Sequence, residues 1–163
     1  MKILFIQTGG TIDKDYPKTT SGYAFEISEP AVKRILQKIN PSFDFEVIRL
    51  LQKDSLDITK EDRDKISEAC LSSDSVKIII THGTDTMIET AEYLSGIKGK
   101  TIVLTGAVKP EKFKDSDAEF NIGFALGALS IAEPGVYIAM NGRLFKHDKV
   151  KRDKVSGKFI ENL

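Results

Sequence analysis

The chain has 163 residues, 40% of them hydrophobic and 29% charged, and this length and composition predict one globular domain over residues 1–163. Its 24 Lys and Arg residues balance its 24 Asp and Glu residues, so neither nucleic acid nor a membrane surface is an expected partner. A single cysteine, Cys70, excludes an internal disulfide framework and is predicted to be a buried core residue. Because no membrane span or signal peptide is recognisable, we expect a cytoplasmic protein.

Strand and helix patterns alternate along the chain. In chain order the sequence predicts a strand over Lys2–Gln7, a helix over Glu29–Ile39, a strand over Phe43–Leu51, a helix that begins at Thr59, a strand over Val76–Thr81, a helix over Met87–Leu94, a strand over Thr101–Thr105, a helix over Ser116–Ala132 and a strand over Gly135–Met140. Gly123 and Gly127, one turn apart, predict close packing of the last helix, and Asn141-Gly142 predicts a tight turn. This alternation predicts an α/β fold, a three-layer sandwich with a mainly parallel sheet flanked by helices.

Polar residues follow four of the predicted strands, at their carboxyl ends. The segments TGGT, KDS, THGTDT and TGAVKP follow the first, second, third and fourth strands. Ligands of such sheets bind at the carboxyl ends of the strands, on the loops that lead into helices. A binding or catalytic site is therefore expected at this edge.

In two of these segments a threonine directly follows a glycine. Gly10 would free the hydroxyl of Thr11, and Gly83 would do the same for Thr84 and Asp85, while backbone N–H groups approach a ligand. A threonine hydroxyl needs a neighbouring base to act as a nucleophile, and backbone N–H groups can stabilise the resulting oxyanion. Asp85 assisted by a lysine, or else His82, could accept the proton.

Each segment also has a simpler interpretation when it is taken alone. Gly-Gly after a strand is most often a turn, and Asp85 is also well placed to stabilise the start of a helix. TGGT could cradle a phosphate at a helix start, but it lacks the G-x-G-x-x-G spacing of dinucleotide sites.

Taken together, TGGTIDK and THGTDTM resemble the two signature motifs of the bacterial-type L-asparaginases. The segments KDSLDI, TIVLTGAVKP, SDAEFNI and GVYIAMNGRLF continue the resemblance in the family's order. The resemblance implies the fold of the family's N-terminal domain in a short, single-domain member. It also implies hydrolysis of the side-chain amide of L-asparagine through a threonine acyl-enzyme. We expect no metal or organic cofactor, because the sequence has only two histidines and shows no ligand cluster.

The resemblance also implies roles for individual residues. Thr11 matches the nucleophile, and Thr84 with Asp85 matches the second catalytic pair, of which Asp85 also contacts the substrate's amino group. The expected substrate-binding residues are Gly10, Tyr23, Asp54, Ser55, Gly83 and Ala107, with Asp54 and Ser55 around the α-carboxylate and the Ala107 carbonyl at the amide.

Three features depart from the family pattern. A gap-free match puts Arg152 where the family has the lysine of its second catalytic pair; because arginine cannot act as a base, the neighbouring Lys151 is the expected partner. Phe25 stands in the place of the tyrosine that activates the nucleophile, and Tyr16 or Tyr23, in a segment of lid-like composition, would replace it. The sequence also ends near the close of the first domain, whereas common members continue into a second.

We therefore expect an asparagine amidohydrolase that is a homo-oligomer, a dimer or a tetramer, and whose partner is a small-molecule substrate. Two alternatives stay open at this point. One is a binding protein that keeps the pocket without turnover, favoured by Phe25 and Arg152. The other is an amidase that acts on a different or larger amide substrate.

Overall fold

A computed structural model of the chain describes residues 2–20, 22–23 and 25–162, and only the backbone of residues 18, 19 and 23. Its strands are Lys2–Gly9 (β1), Lys14–Asp15 (β2), Lys18–Thr19 (β3), Gly22–Tyr23 (β4), Glu26–Ile27 (β5), Asp44–Lys53 (β6), Lys77–Thr81 (β7), Thr101–Thr105 (β8), Gly135–Met140 (β9), Arg143–Lys146 (β10), Val150–Arg152 (β11) and Phe159–Glu161 (β12). Its α-helices are Ala31–Ile39 (α1), Lys60–Ser72 (α2), Met87–Tyr93 (α3) and Ala118–Ile131 (α4), and 3-10 turns cover Thr11–Asp13, Ser55–Asp57 and Leu94–Gly96.

One six-stranded sheet, in the order β10-β9-β8-β7-β1-β6, forms the centre of the fold. Strands β6, β1, β7, β8 and β9 run parallel, and β10 pairs antiparallel with β9 at one edge. The carboxyl ends of β6, β1, β7 and β8 therefore lie along the same edge of the sheet, as the sequence predicted.

The central strands are buried on both faces, which explains their continuous apolar sequences. On β1, Leu4 and Ile6 join the core beneath α2 and α3, while Ile3 and Phe5 join the core beneath α1 and α4. Cys70 belongs to the first of these cores, and burial raises the pKa of its thiol to about 12. The predicted three-layer α/β sandwich is confirmed.

Local sequence signals account for several element ends. Thr59 caps α2 with a full capping box, in which its side chain accepts the Asp62 N–H and the Asp62 carboxylate accepts the Thr59 N–H. Pro30 immediately precedes α1. The turn between β9 and β10 has φ values of 54° at Asn141 and 75° at Gly142, so both residues are left-handed, as a tight hairpin turn requires.

The expected close packing at the glycines of α4 is not found. A Cβ atom at Gly123 or Gly127 would have no neighbour within 4 Å, and both residues are exposed. The buried face of the helix is instead formed by residues such as Ile122 and Leu129. The two glycines thus carry the conformational cost of glycine in a helix without a packing benefit.

We predict that Gly123→Ala and Gly127→Ala each raise the free energy of unfolding by about 0.5–1 kcal/mol, because alanine restricts the unfolded chain and meets no neighbour. Gly106→Ala is the matched opposite case, since its Cβ atom would lie 2.3 Å from the His82 carbonyl oxygen. It should lower stability by roughly 1–3 kcal/mol. Urea unfolding measures both effects, and stabilisation by Gly106→Ala would contradict the packing described for this loop.

Candidate functional site

The loops that follow β1 and β7 touch through two glycines. Gly10 has a φ of 83°, and a Cβ atom there would lie 2.4 Å from both the Cα and the N of Gly83. The Gly10 N–H donates to the carbonyl of Lys53, 2.9 Å away, at the end of β6. Only glycine permits this approach of two backbones. The approach brings the next residue of each loop, Thr11 and Thr84, to the same edge of the sheet.

The two threonines of TGGT have different environments. Thr8 is fully buried, and its hydroxyl donates to the carbonyl of Thr81 at 2.8 Å. Thr11 is half-buried and begins the 3-10 turn Thr11–Asp13. Among the described residues, its hydroxyl has no hydrogen-bond partner, so it is available to a ligand.

The loop that follows β6 lies against the Gly83 backbone. A Cβ atom at Gly83 would lie 2.6 Å from the Cβ of Ser55 and 2.7 Å from its hydroxyl oxygen. The Ser55 hydroxyl is buried and has no partner among the described residues. Thr86 anchors this loop by donating its hydroxyl hydrogen to the Ser55 carbonyl at 2.7 Å. The structure thus brings Ser55, Gly10 and Gly83 together.

Asp54 is paired with a lysine that the sequence did not single out. The Lys14 ammonium lies 3.0 Å from the Asp54 carboxylate and 4.4 Å from the centre of the Phe25 ring, and its side chain is only 15% exposed. The hydrogen bond from Lys14 holds the pKa of Asp54 below its usual range. Asp54 also accepts the Leu56 N–H at 3.3 Å and so caps the turn that contains Ser55.

The cation beside Asp85 is Arg152. Its guanidinium donates to the Asp85 carboxylate at 2.5 Å, and its Nε–H donates to the Gly157 carbonyl at 3.0 Å. Lys151 is the preceding residue of the same strand, where successive side chains point to opposite faces. Its side chain is exposed. The expectation that Lys151 pairs with Asp85 is therefore corrected in favour of Arg152.

The tyrosine candidates lie near two short antiparallel pairs, in which β2 pairs with β5 and β3 pairs with β4. Tyr16 is 43% exposed, and its ring packs against Phe25 at 4.6 Å and Phe113 at 5.7 Å between centroids. Phe25 stands where the family has its tyrosine. It has no hydroxyl of its own, and it holds Tyr16 in an aromatic cluster. The side chain of Tyr23 lies outside the described part of the chain.

Ala107 is buried at the carboxyl end of β8, in a loop that two polar side chains brace. The Asp117 carboxylate accepts the N–H groups of Val108 and Lys109 at 3.0 Å. Asn121 donates to the Gly106 carbonyl at 3.0 Å. Neither brace was predicted, although both residues belong to the segment SDAEFNI that carries part of the family resemblance.

His82, weighed as a possible base, is a structural residue. Because the Gly83 carbonyl can only accept, Nδ1–H of His82 donates to it at 2.7 Å, and Nε2 then accepts from the Thr90 hydroxyl at 2.9 Å. Burial lowers the pKa of the imidazole to about 4. The ring is fully buried and neutral, and it fixes the loop that contains Thr84.

Asp13, in the turn begun by Thr11, is fully buried. Its carboxylate accepts the Ala31 N–H at 2.7 Å and so caps α1, whose preceding residue, Pro30, makes no side-chain cap. Burial raises the pKa of Asp13 to about 7, against the lowering effects of the Ala31 N–H and the Arg34 charge. Apart from its place in the TGGTIDK motif, nothing in the sequence marks this carboxylate.

Comparison with known proteins identifies a family. A family model described as "Asparaginase, N-terminal" matches residues 2–157. A glutaminase-asparaginase from Acinetobacter glutaminasificans is 31% identical over 157 residues, which cover 88% of this chain and 47% of that protein. An L-asparaginase from Thermococcus kodakarensis is 31% identical over 158 residues, or 93% of this chain and 48% of that protein.

The structural comparison agrees with this result. The solved structure of the thermostable L-asparaginase from Thermococcus kodakarensis superposes with a TM-score of 0.84 at 30% identity, covering 99% of this chain and 51% of that one.

A probable periplasmic L-asparaginase from Haemophilus influenzae is 29% identical in sequence over 154 residues, or 87% of this chain and 43% of that protein. The chain therefore spans about half the length of the curated relatives it matches. Across the described residues, no helix is both long and apolar enough to cross a membrane.

The buried carboxyl of Asp13 predicts a pH dependence of stability. With a folded pKa of about 7, the folded chain keeps a proton that the unfolded chain, with a carboxyl pKa of about 3.9, has released. The contribution of Asp13 to the free energy of unfolding should therefore fall as pH rises from about 4 to about 7, and should stay low above that range.

Asp13→Asn removes this contribution while it keeps the acceptor for the Ala31 N–H. At pH 8 it should raise the free energy of unfolding by roughly 2–4 kcal/mol, and the gain should vanish near pH 4. Urea titrations of both proteins across this range measure the difference, with the exposed Asp57→Asn as a matched control. A difference that does not change with pH would contradict a buried, neutral carboxyl.

Proposed function

Since the chain belongs to the asparaginase N-terminal domain family, we propose that it is an amidohydrolase that cleaves the side-chain amide of L-asparagine, with Thr11 as nucleophile. The observation that supports this proposal is the contact between Gly10 and Gly83, through which the loop that contains Thr11 meets the loop that contains Thr84 and Asp85. The names of the relatives, which include asparaginases and glutaminase-asparaginases, support the reaction class.

The proposed reaction has two steps. The Thr11 oxygen attacks the amide carbon of the substrate, its hydroxyl proton passes to the departing amide nitrogen, and ammonia leaves an ester between Thr11 and the aspartyl group. Water then attacks this ester, which releases L-aspartate and returns a proton to Thr11. Within the described chain, the N–H groups of Thr11 and Thr84 have no acceptor, so they are candidate donors to the oxyanion of each step.

Arg152 replaces Lys151 in this proposal. Because a guanidinium stays protonated, Arg152 cannot carry a proton between Thr84 and Asp85, and its role is to orient the Asp85 carboxylate. The proton of Thr11 must then pass through a carboxylate or a phenol, for which Asp85, Tyr16 and Tyr23 are the candidates. Ser55 supplies an unpartnered hydroxyl for the substrate's α-carboxylate, in a loop braced by Asp54.

Substrate choice, assembly and compartment stay predictions. We expect L-asparagine as a substrate, a homo-oligomer of two or four chains, and a cytoplasmic location. The relatives include glutaminase-asparaginases and a probable periplasmic enzyme, so both amides and both compartments need to be tested.

Two observations favour a second candidate, a binding protein that keeps the pocket but does not catalyse a reaction. Asp85 is paired with a cation that cannot act as a base, and Phe25 offers no phenol. A protein of this kind would bind L-asparagine or L-aspartate with the same residues. Ammonia release separates the two functions, since only the amidohydrolase produces it.

We predict that the wild-type protein releases ammonia from L-asparagine and that Thr11→Val lowers kcat by at least about 10³-fold, because the nucleophile is lost. Thr8→Val is the matched control in the same motif. It should cost about 1–3 kcal/mol of stability by leaving the Thr81 carbonyl unpaired, yet keep kcat within about threefold. Assays with asparagine, glutamine and small amides measure all three proteins.

The outcomes of this experiment are distinct. Activity that survives Thr11→Val would exclude Thr11 as the nucleophile. If the wild type and Thr11→Val are equally inactive on every amide while L-aspartate still binds, the second candidate is correct.

We further predict that Arg152→Met lowers kcat about 10²-fold, because the Asp85 carboxylate loses its partner. Lys151→Met should change kcat by less than about twofold, since an exposed surface charge contributes little. Steady-state assays of the two neighbouring variants make the comparison direct. A large fall in kcat for Lys151→Met, with little effect of Arg152→Met, would show that Lys151 is the functional partner of Asp85.

A further inference from the structure

A cluster of unpaired polar atoms lies behind the turn that carries Thr11. In the described part of the chain, seven buried side-chain polar atoms have no hydrogen-bond partner, and four of the seven belong to Gln7, Asp13, Ser28 and Arg34. Buried polar atoms are almost always paired, with protein or with ordered water, so four in one place require an explanation.

The four residues are neighbours. Gln7 donates its side-chain N–H to the Ser28 carbonyl at 2.9 Å, and the Ser28 N–H donates to the Asp13 carbonyl at 2.8 Å. The Asp13 carboxyl lies beside the Gln7 amide and within reach of the Arg34 charge. The unpaired atoms, Gln7 Oε1, Asp13 Oδ2, Ser28 Oγ and Arg34 Nη2, therefore belong to neighbouring side chains.

Their chemistry matches one molecule of water. The bond of Gln7 Nε2 to the Ser28 carbonyl fixes which way the amide points, so Oε1 is an acceptor, and the Ser28 hydroxyl can accept as well. Because Oδ1 of Asp13 accepts the Ala31 N–H, the neutral carboxyl carries its proton on Oδ2, which is a donor, as is Nη2 of Arg34. A water molecule donates two hydrogen bonds and accepts two, whereas a metal cation would meet the positive charge of Arg34.

We propose that these four side chains enclose an internal water molecule, and that through this cluster Asp13 is a positioning residue for Thr11. The second part rests on the proposed function, in which Thr11 is the nucleophile. The first part concerns the fold alone.

Asp13 links the Thr11 turn to two other elements. Its N–H donates to the Gly10 carbonyl at 3.2 Å, which closes the turn, and its Oδ1 accepts the Ala31 N–H at the start of α1. Between Thr11 and Asp13, buried Ile12 accepts the Glu111 N–H at 3.1 Å. Loosening Asp13 would therefore let the Thr11 hydroxyl move relative to Thr84 and Asp85. Misplacement of a reacting group by about 1 Å can cost two orders of magnitude in rate.

The charged groups that face Asp13 come from two elements. Arg34, on α1, lies 2.7 Å from the Glu111 carboxylate, and Glu111 also lies 3.7 Å from Lys38. The positive charge of Arg34 is therefore shared between Glu111 and the polar cluster. This sharing keeps one guanidinium N–H group, at Nη2, free for the water.

A crystal structure at a resolution that shows ordered waters tests the first part. A density peak within hydrogen-bond distance of Asp13 Oδ2 and Arg34 Nη2 is expected. A dry cluster, or one in which the four side chains pair directly with one another, would overturn the internal water.

Kinetics of three variants test the second part. Asp13→Ala should lower kcat for asparagine at least tenfold and leave KM within twofold, because it frees the Thr11 turn without touching the substrate. Asp13→Asn should restore kcat to within threefold of wild type, since it keeps the link to Ala31. Ser75→Ala, which removes another buried, unpartnered hydroxyl, is the control and should be neutral. If Asp13→Ala does not fold, Ser28→Ala takes its place, with an expected threefold to tenfold fall in kcat.

The failures of the two parts and of the proposed function are distinguishable. A wild type that is inactive on every amide overturns the proposed function and the positioning role, while the water is decided by density alone. An active wild type whose kcat is unchanged in Asp13→Ala, or in Ser28→Ala when that variant takes its place, overturns only the positioning role.

Discussion

The approach of the Gly10 and Gly83 backbones is the constraint on which the site depends. Parallel strands β1 and β7 end side by side, but side chains at these two positions would hold the loops apart. With glycine at both positions the loops meet, and the residue after each glycine is one of the two threonines of the proposed chemistry. Ser55 lies against the same glycine from the β6 loop. A single close contact thus gathers groups from three strands, which is why the polar motifs of a parallel sheet can form one site.

Paired charges surround this contact. Lys14 pairs with Asp54, and Arg152 pairs with Asp85, so each carboxylate expected near a substrate already has a cationic partner. The hydrogen bond from Lys14 lowers the pKa of Asp54, and Arg152 orients the Asp85 carboxylate, but neither pair supplies an evident proton carrier. The buried, neutral His82 does not supply one either. In the proposed reaction, a carboxylate or a phenol must therefore accept the proton of Thr11.

Much of the fold could be predicted from the sequence because its signals are local. Continuous apolar strands, the capping box at Thr59 and the Asn141-Gly142 turn each specify their own structure. The edge at which the polar loops gather follows from the topology of a parallel sheet. The unpredicted features depend on pairing between distant segments. Lys14 meets Asp54 across 40 positions, and the choice of Arg152 over Lys151 depends on which face of a short strand turns toward Asp85. Gly123 and Gly127 show that a local pattern can also mislead. Their spacing predicted close helix packing, but no other element of the described chain packs against them.

A crystal structure of the protein with bound L-aspartate, the expected product, tests the central claim most directly. If the glycine contact assembles the site, the side-chain carboxylate of the ligand will lie beside the Thr11 hydroxyl, its amino group at Asp85 and its α-carboxylate at Ser55. A ligand bound elsewhere on the chain, or Thr11 and Thr84 too far apart to contact one ligand, would contradict the account.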